Sequence, residues 1–489
     1  MRQENHVIVV GGGAAGLAAA AAVEQAGLSC QLLEAQACLG GRIRTVPLRS
    51  GGVFDEGAQM VNGDMHAVLD LAARAGLHLS PVPRAGIGLC LAQGSTRRFE
   101  DLISVGELHE LLEEQVLRWD SPGEALRALR LKLAWWNTPW ESLGEAGRGL
   151  RLLVAKRTAP KESLAEALRG LLLEAEEHAM AYSHFSEVLG AAPEDIHAQA
   201  VRDIFARYAS ERDDLEFQIA GGMIGIVDQL ALELRHRPRL STPVERIRAT
   251  GDRVEVVAAA ETWTADHVIV AVPPPAARRI TFEVDSGDEL AALLASFTAG
   301  AMIKTVLVFD RAFWRLKGLS GAALFADTPG LAVVDGSGDG PFPSRLTAFL
   351  GGPLARQWAA LSQEARQDLL LGRLSHAFGE GVRAPLETAE AVWIDHPWSG
   401  GGYNATVRVG GNPDAVARLA AWGGRVRFAG AEVDDRFWGY VEGAIHSGRS
   451  VAAQITGNAA GDVICETAEP QGAFGGSRPK AERGVVSER

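Results

Sequence analysis

The sequence predicts an α/β protein with a parallel sheet at its start and a second, α+β unit interleaved with the first. Three observations predict this. A strand, a glycine loop, a helix and a second strand fit within the first 34 residues. Strand patterns return beyond residue 240 after a long helical stretch. A strand–helix pair closes the patterned part of the chain near residue 456. The expected first domain is therefore discontinuous, at 1–80, 215–285 and 390–456. The second, a mixed sheet flanked by helices, takes 81–214 and 286–389. Residues 457–489, rich in Gly, Ala, Pro and charge, read as a disordered tail.

HVIVV (6–10) is a short apolar, β-branched run, as expected of a buried strand. VVGGGAAG (9–16) follows, with Gly11, Gly13 and Gly16 in the G-x-G-x-x-G pattern. LAAAAAVEQAG reads as a helix ending at Gly27, and CQLLE (30–34) as the second strand. This context makes the motif a Rossmann-type dinucleotide fingerprint. Gly11 permits the tight turn, Gly13 lets the pyrophosphate reach the backbone, and Gly16 lets helix and strand pack. The helix start offers N–H groups and a positive dipole end to phosphate. Glu34 stands about 20 residues beyond the loop, where an acid takes the ribose hydroxyls and disfavours a 2′-phosphate. A glycine-rich turn without a ligand is the plainer alternative, and strand, helix and acid in register argue against it.

The rest of the chain follows in order. Residues 65–79 read as helical, and 100–215 as mostly helical, with amphipathic stretches such as LHELLEEQVLRW and ESLAEALRGLLLEAEEHA. Strands are expected at VERIRA (244–249), RVEVVAA (253–259), DHVIVAVPPP (266–275), AMIKTVLVF (301–309) and RVRFAG (425–430). GYVEGAIHSGRSVAAQI (439–455) is the last helix.

Bulk composition narrows the class. The 489 residues are 47% hydrophobic and 22% charged, ordinary for a chain with a real core. A net charge of −13, with no basic run, argues against nucleic acid. The four cysteines, Cys30, Cys38, Cys90 and Cys465, form no C-x-x-C pair and have no histidine cluster nearby. Neither a disulfide framework nor a metal site is expected, and reduced thiols fit a cytoplasmic protein. MRQENH lacks an apolar signal core, and no run reaches the ~18 apolar residues of a membrane span, so no membrane anchor is expected.

After Glu34 comes AQACLGGRIRT, with Gly40, Gly41 and Arg42, and then the glycine-dense SGGVFDEGAQMVNG. A flavin dinucleotide, whose ring system needs close backbone approach and an arginine near its phosphates, accounts for a GGR turn here better than NAD does. With RVRFAGAEVDDRFWGYVEGAIHSG near the end, the sequence resembles the flavin-containing amine oxidases, which include monoamine, polyamine and L-amino acid oxidases. It looks most like the monoamine oxidase-like bacterial members. The resemblance covers roughly 1–80, 215–310 and 390–455.

The resemblance implies FAD as cofactor. It puts Ala15 and Gly16 on the pyrophosphate, Glu34 and the adjoining Ala35 at the adenosine ribose, and Arg42 near phosphates and flavin. Gly57, Ala58, Gln59 and Met60 would pass beside the isoalloxazine, and the Val244 backbone would hold adenine. Gly430 and Glu432 match the second phosphate–ribitol contact, and Tyr440 and Val441 the helix start facing the flavin. Gln36 stands where many relatives carry arginine, which implies weaker FAD binding. Gly402 stands where monoamine oxidases tether the flavin through cysteine, so the FAD is expected to be non-covalent.

Tyr403 in PWSGGGYN and Tyr440 in RFWGYVEG match the paired aromatic walls of monoamine oxidases, an arrangement that attracts and orients an amine. Two core tyrosines with satisfied hydroxyls would be the plainer reading. Lys304 shares its strand face with Met302, Val306 and Val308, a costly place for a lysine without a task. In this family the matching lysine holds a water beside the flavin and assists reoxidation by O₂. The alternative is a lysine snorkelling from a strand end. Trp398 and Trp438 are expected to shape the substrate pocket, with Trp393 nearby. Glu442 and His446 receive no catalytic role.

The function this implies is FAD-dependent oxidation of a primary or secondary amine, with O₂ reduced to H₂O₂. One alternative is an L-amino acid oxidase, for which GAQMVNG lacks the carboxylate-clamping arginine and Arg84 or Arg212 would have to substitute. The others are an amine dehydrogenase passing electrons to a protein acceptor, a flavin desaturase acting on a lipid-like substrate, and a flavin-binding module without catalysis of its own. A homodimer is compatible with the sequence.

Overall fold

The computed structural model describes residues 3–114, 162–210, 212, 216–340 and 342–457. The helical expectation for 115–161, the tail from 458 and Cys465 lie outside the described residues.

The first sheet has seven strands. Gln3–Val10 lies at its centre, parallel to Cys30–Leu33 on one side (Val7 opposite Cys30) and to Glu261–Val270 on the other (Val7 opposite His267). Val426–Phe428 runs parallel to the last residues of Glu261–Val270, and Arg253–Ala258, Val244–Thr250 and Thr281–Glu283 extend the sheet beyond it. Val7, Ile8 and Val9 are fully buried because the sheet is covered on both faces. Alternate residues serve different cores. Val7 and Val9 pack with Leu17 and Ile445, while Ile8 and Val10 pack with Val256 and Trp263. The parallel strands end together, so the residues that follow Val10, Leu33, Val270 and Phe428 crowd one edge, where α/β sheets place their ligands.

The helix Ala14–Gln25 is built almost wholly of buried small residues and packs against the C-terminal helix Val441–Thr456. Gly11 turns the chain at φ 108°, and a Cβ on Gly16 would stand 1.9 Å from the Gly11 carbonyl oxygen. The expected packing role of Gly16 is thus a steric requirement.

The second sheet also has seven strands, in the order Glu387–Trp393, Met302–Phe309, Ser344–Gly351, Leu331–Asp335, Leu319–Phe325, Ile87–Ala92, Ser95–Arg98. All its pairs are antiparallel except Leu319–Phe325 with Ile87–Ala92. The strand Glu387–Trp393 crosses the boundary expected at 389/390. It pairs along its length with Met302–Phe309 and forms the edge of this sheet. The helix Ala175–Leu189 packs on this sheet, and Leu164–Arg169, Ala198–Phe205 and Val105–Glu114 pack in turn on that helix and on one another. Ser163 and Glu166 form a capping box at the start of the second of these.

The helix expected over 65–79 is shorter, His66–Arg74. The chain then enters a strand, Leu79–Pro81, because Phe217–Ile219 pairs with it. Among the described residues no helix is long and apolar enough to cross a membrane.

Candidate active site

A cavity of about 1070 Å³ runs from the glycine loop of the first sheet to the second sheet. Its walls include Gly11, Gly13, Ala15, Glu34, Ala35, Arg42, Gly57, Ala58, Gln59, Met60, Val244, Gly430, Glu432, Tyr440 and Val441. Lys304, Trp398, Tyr403 and Trp438 line the same space. Of the expected site residues only Gly16 stays off the wall, since it is pressed against Gly11 beneath the loop.

At the sheet end, the Glu34 carboxylate is held by two backbone donors, Gly12 N–H at 2.5 Å and Gln36 N–H at 2.7 Å. The first rung of the helix ladder runs from Leu17 N–H to the Gly13 carbonyl. The N–H groups of Ala14, Ala15 and Gly16 therefore precede the ladder, as an anion site requires. A flavin dinucleotide fits these residues. The loop carries nothing larger than a methyl group, an acid waits at the end of the second strand, and buried polar atoms remain unpaired further in. Those atoms include the Tyr403 hydroxyl and Asn404 Oδ1.

Arg42 ties the middle of the cavity together. Its guanidinium pairs with both oxygens of Glu432, which is 1% exposed, and donates to the Tyr403 carbonyl. Glu432 also accepts from Ala405 N–H at 3.3 Å. Two residues expected to contact cofactor thus first fix each other.

Lys304 is fully buried. Its Nζ donates to the carbonyl oxygens of Asp55 at 2.6 Å and Gly57 at 2.9 Å, and stands 5.5 Å from the centre of the Phe349 ring. Burial pushes its pKa down to about 7, against the opposing pull of Asp55 and Glu56. A snorkelling lysine is ruled out, because no part of it reaches solvent.

Tyr403 and Tyr440 are both half-buried on the cavity wall, and burial raises both hydroxyls above their ordinary pKa. The Tyr440 hydroxyl is hydrogen-bonded to that of Tyr208, and the two rings lie 5.7 Å apart. The Tyr403 ring meets Phe349 edge-on at 6.1 Å. Trp398, at 39% exposed, stands at the mouth, whereas Trp438 is 7% exposed and packs into a helical core. Trp393 donates to the Glu56 carbonyl at 2.8 Å.

Glu442 and His446 have structural partners. Glu442 accepts from the N–H groups of Ala67 and Val68 at 2.9 Å each, and so caps the helix His66–Arg74. His446 bonds Asp434, whose other oxygen holds the turn at Arg436 and Phe437 ahead of Tyr440.

Sequence reasoning missed Tyr208, Glu187, His109 and His184, all on the cavity wall. The scarcity of tyrosine, four in the chain, applied to Tyr208 as much as to Tyr403 and Tyr440. His184, Glu187 and Val188 share one helix face at i, i+3, i+4, and a charge on an otherwise apolar stripe was the available clue.

Known proteins agree with this geometry. Over 449 residues the chain is 27% identical to an L-amino acid dehydrogenase of Synechocystis sp., covering 89% of this chain and 91% of that one. Over 265 residues it is 30% identical to a putrescine oxidase of Kocuria rosea, covering 52% and 55%. Its fold is similar to that of cyclohexylamine oxidase from Brevibacterium oxydans, with a TM-score of 0.77 and 24% identity over 93% of this chain and 99% of that one. The family described as flavin containing amine oxidoreductase matches residues 14–456. With the glycine loop, Glu34, Lys304 and both tyrosines on one cavity, the chain belongs to the flavin containing amine oxidoreductases.

Proposed function

We propose that the protein oxidises a primary or secondary amine to an imine, with O₂ as the final electron acceptor. One observation carries this reading: Tyr403, Tyr440 and Lys304 meet on the same cavity that begins at the dinucleotide loop.

FAD would be held by the Gly11–Ala15 loop, Glu34, Arg42, Val244 and Glu432, and when bound it takes the hydride that leaves the amine's α-carbon and hands the electrons on. The protein's part is to bind, orient and dry the amine. The faces of Tyr403 and Tyr440 attract it and limit its approach. The apolar wall favours the neutral amine, whose lone pair forms the C=N bond as the hydride departs. Lys304, fixed by two carbonyls, has a third N–H with which to hold a water at the wall. The imine leaves and hydrolyses to a carbonyl compound, with ammonia released from a primary amine and a smaller amine from a secondary one.

Non-covalent attachment is part of the proposal. Gly402 supplies no thiol, and among the described residues no cysteine lines the cavity. Acid precipitation should leave the yellow colour in the supernatant, and colour in the pellet would refute the point.

A second reading, oxidation of an L-amino acid, is favoured by one feature. Arg84 and Arg212 both line the cavity and are suited to a carboxylate. Anaerobic titration of the flavin spectrum separates the readings. Bleaching by amines, with recovery and peroxide in air, supports the first. Bleaching by amino acids alone replaces it with the second. Bleaching by amines without recovery in air points to a protein acceptor.

A further inference from the structure

The two tyrosine walls of the cavity are held in different ways. Tyr403 is fixed from its backbone, through the Arg42 bond to its carbonyl, and its ring meets Phe349 edge-on. Its hydroxyl is buried without a partner. Tyr440 is held at both ends. Its N–H donates to the Phe437 carbonyl at 3.1 Å, and its hydroxyl is bonded to that of Tyr208.

Tyr208 lines the same cavity and has no role in the reaction just described. It follows the helix Ala198–Phe205, and its N–H donates to the Phe205 carbonyl at 3.0 Å. Its ring lies between two others. Phe437 meets it edge-on with centroids 6.1 Å apart, and Tyr440 stands 5.7 Å away at an interplanar angle of 37°.

The Tyr208 segment is tied down on both sides of that contact. The next residue, Ala209, donates its N–H to the Arg436 carbonyl at 2.8 Å, on the turn that leads into Tyr440. Asp434 holds the same turn by accepting from the N–H groups of Arg436 and Phe437. Beyond Ala209, the Ser210 hydroxyl donates to Asp64 at 2.8 Å and accepts from Asn62 Nδ2 at 3.1 Å and Arg212 N–H at 3.2 Å. Tyr208 is therefore a fixed support.

A tyrosine ring tilts about two side-chain torsions. A backbone bond at one end and a hydroxyl bond at the other remove that freedom. The tilt of an aromatic wall sets how an amine between the walls presents its carbon, and small misplacements of a reacting carbon cost rate. The aromatic face itself, which supplies the attraction, survives loss of the hydroxyl bond.

We propose that Tyr208 is a positioning residue, which fixes the plane of the Tyr440 ring and through it the approach of the amine. This rests on the amine-oxidising reading and adds to it a residue that acts only through Tyr440.

The test is a double-mutant cycle on holoenzyme of the wild type, Tyr208→Phe, Tyr440→Phe and the double variant. Anaerobic stopped-flow mixing with an amine gives the limiting rate of flavin reduction and, from its saturation, the amine Kd. Each single variant should lose about threefold to tenfold in the limiting rate, the worth of one neutral hydrogen bond. The amine Kd should change by less than about twofold, because both aromatic faces remain. The double variant should be no slower than the slower single one. Tyr403→Phe, which touches neither hydroxyl of the pair, should combine additively with Tyr208→Phe. Flavin content and Tm confirm that each variant is folded. An unchanged rate in Tyr208→Phe, a loss that appears in Kd instead, or a full further loss in the Tyr440→Phe background overturns the proposal. A lowered Tm with unchanged reduction shows a structural role only and overturns it too. If amino acids alone reduce the wild type, the amine-oxidising reading fails, and the same cycle run with the amino acid decides the role of Tyr208. A wild type reduced by neither removes the reading and the proposal together.

Discussion

Arg42 and Glu432, 390 residues apart in the chain, form a two-pronged ion pair on the cavity wall, with N–O distances of 2.5 and 3.0 Å. The pair joins the GGR turn that follows the first strands to the turn that precedes the last helix. Because Arg42 also holds the Tyr403 carbonyl, the proposed cofactor and substrate ends of the cavity share one clamp.

Arg42→Met leaves Glu432 buried without its cation. Arg42 keeps 23% side-chain exposure, so the expected loss is about 2–3 kcal/mol, less than for a fully buried pair. Flavin content should fall with it. Glu432→Gln, which keeps an acceptor for Arg42, should cost less. Urea unfolding midpoints and the flavin-to-protein absorbance ratio read both effects. Equal stability of wild type and Arg42→Met would show the clamp to be dispensable.

Lys304→Met should retain flavin yet slow reoxidation by O₂ on the order of tenfold or more, the range of a positioned proton donor or water. The Asp55 and Gly57 carbonyls lose their donor, so a modest fall in Tm is expected too. Stopped-flow mixing of the reduced enzyme with oxygenated buffer measures the rate. An unaltered rate removes the assignment.

The two tyrosines should separate on removal of their hydroxyls. The Tyr403 hydroxyl is buried without a partner, so Tyr403→Phe should be neutral or slightly stabilising. Tyr440→Phe breaks the bond to Tyr208 and should cost about 1 kcal/mol. Leucine at either position removes an aromatic face and should lower kcat/KM for amines by about tenfold. Thermal melts and steady-state kinetics on the four variants test this, and a larger stability loss for Tyr403→Phe than for Tyr440→Phe would contradict the geometry.

Stability should depend on pH through His446. Its hydrogen bond to Asp434 raises its pKa above the ordinary 6.5. Below 6.5 the folded and unfolded states are both protonated and the contribution is complete. It declines as pH rises beyond 6.5 and through the native value. His446→Gln should flatten this part of a Tm-against-pH curve. A variant curve parallel to the wild type across that window would show that another group is responsible.

Gln36→Arg should tighten FAD binding. Gln36 lines the cavity next to Glu34, and a guanidinium there adds a cation at the dinucleotide end. Titration of apoprotein with FAD should give a lower Kd for the variant, and an unchanged Kd would mean that Gln36 already satisfies the site.

The first 34 residues by themselves specified the strand, loop, helix, strand and acid that make the dinucleotide end. The reason is local: glycine spacing, β-branched runs and helix formers act within a few residues of one another. Lys304 was legible for a similar reason, since a period-2 strand exposes a lysine set among Met302, Val306 and Val308. Tertiary structure alone decided the rest. The hairpin Ile87–Ala92/Ser95–Arg98 has its sheet partner at Leu319–Phe325, and no local pattern encodes a pairing at that separation. Glu187 looked like one more acid on an amphipathic helix. Helical periodicity tells which face is covered, but what shares a cavity with that face, here Tyr403 and Tyr440 from the far end of the chain, is settled only when the two sheets close around it.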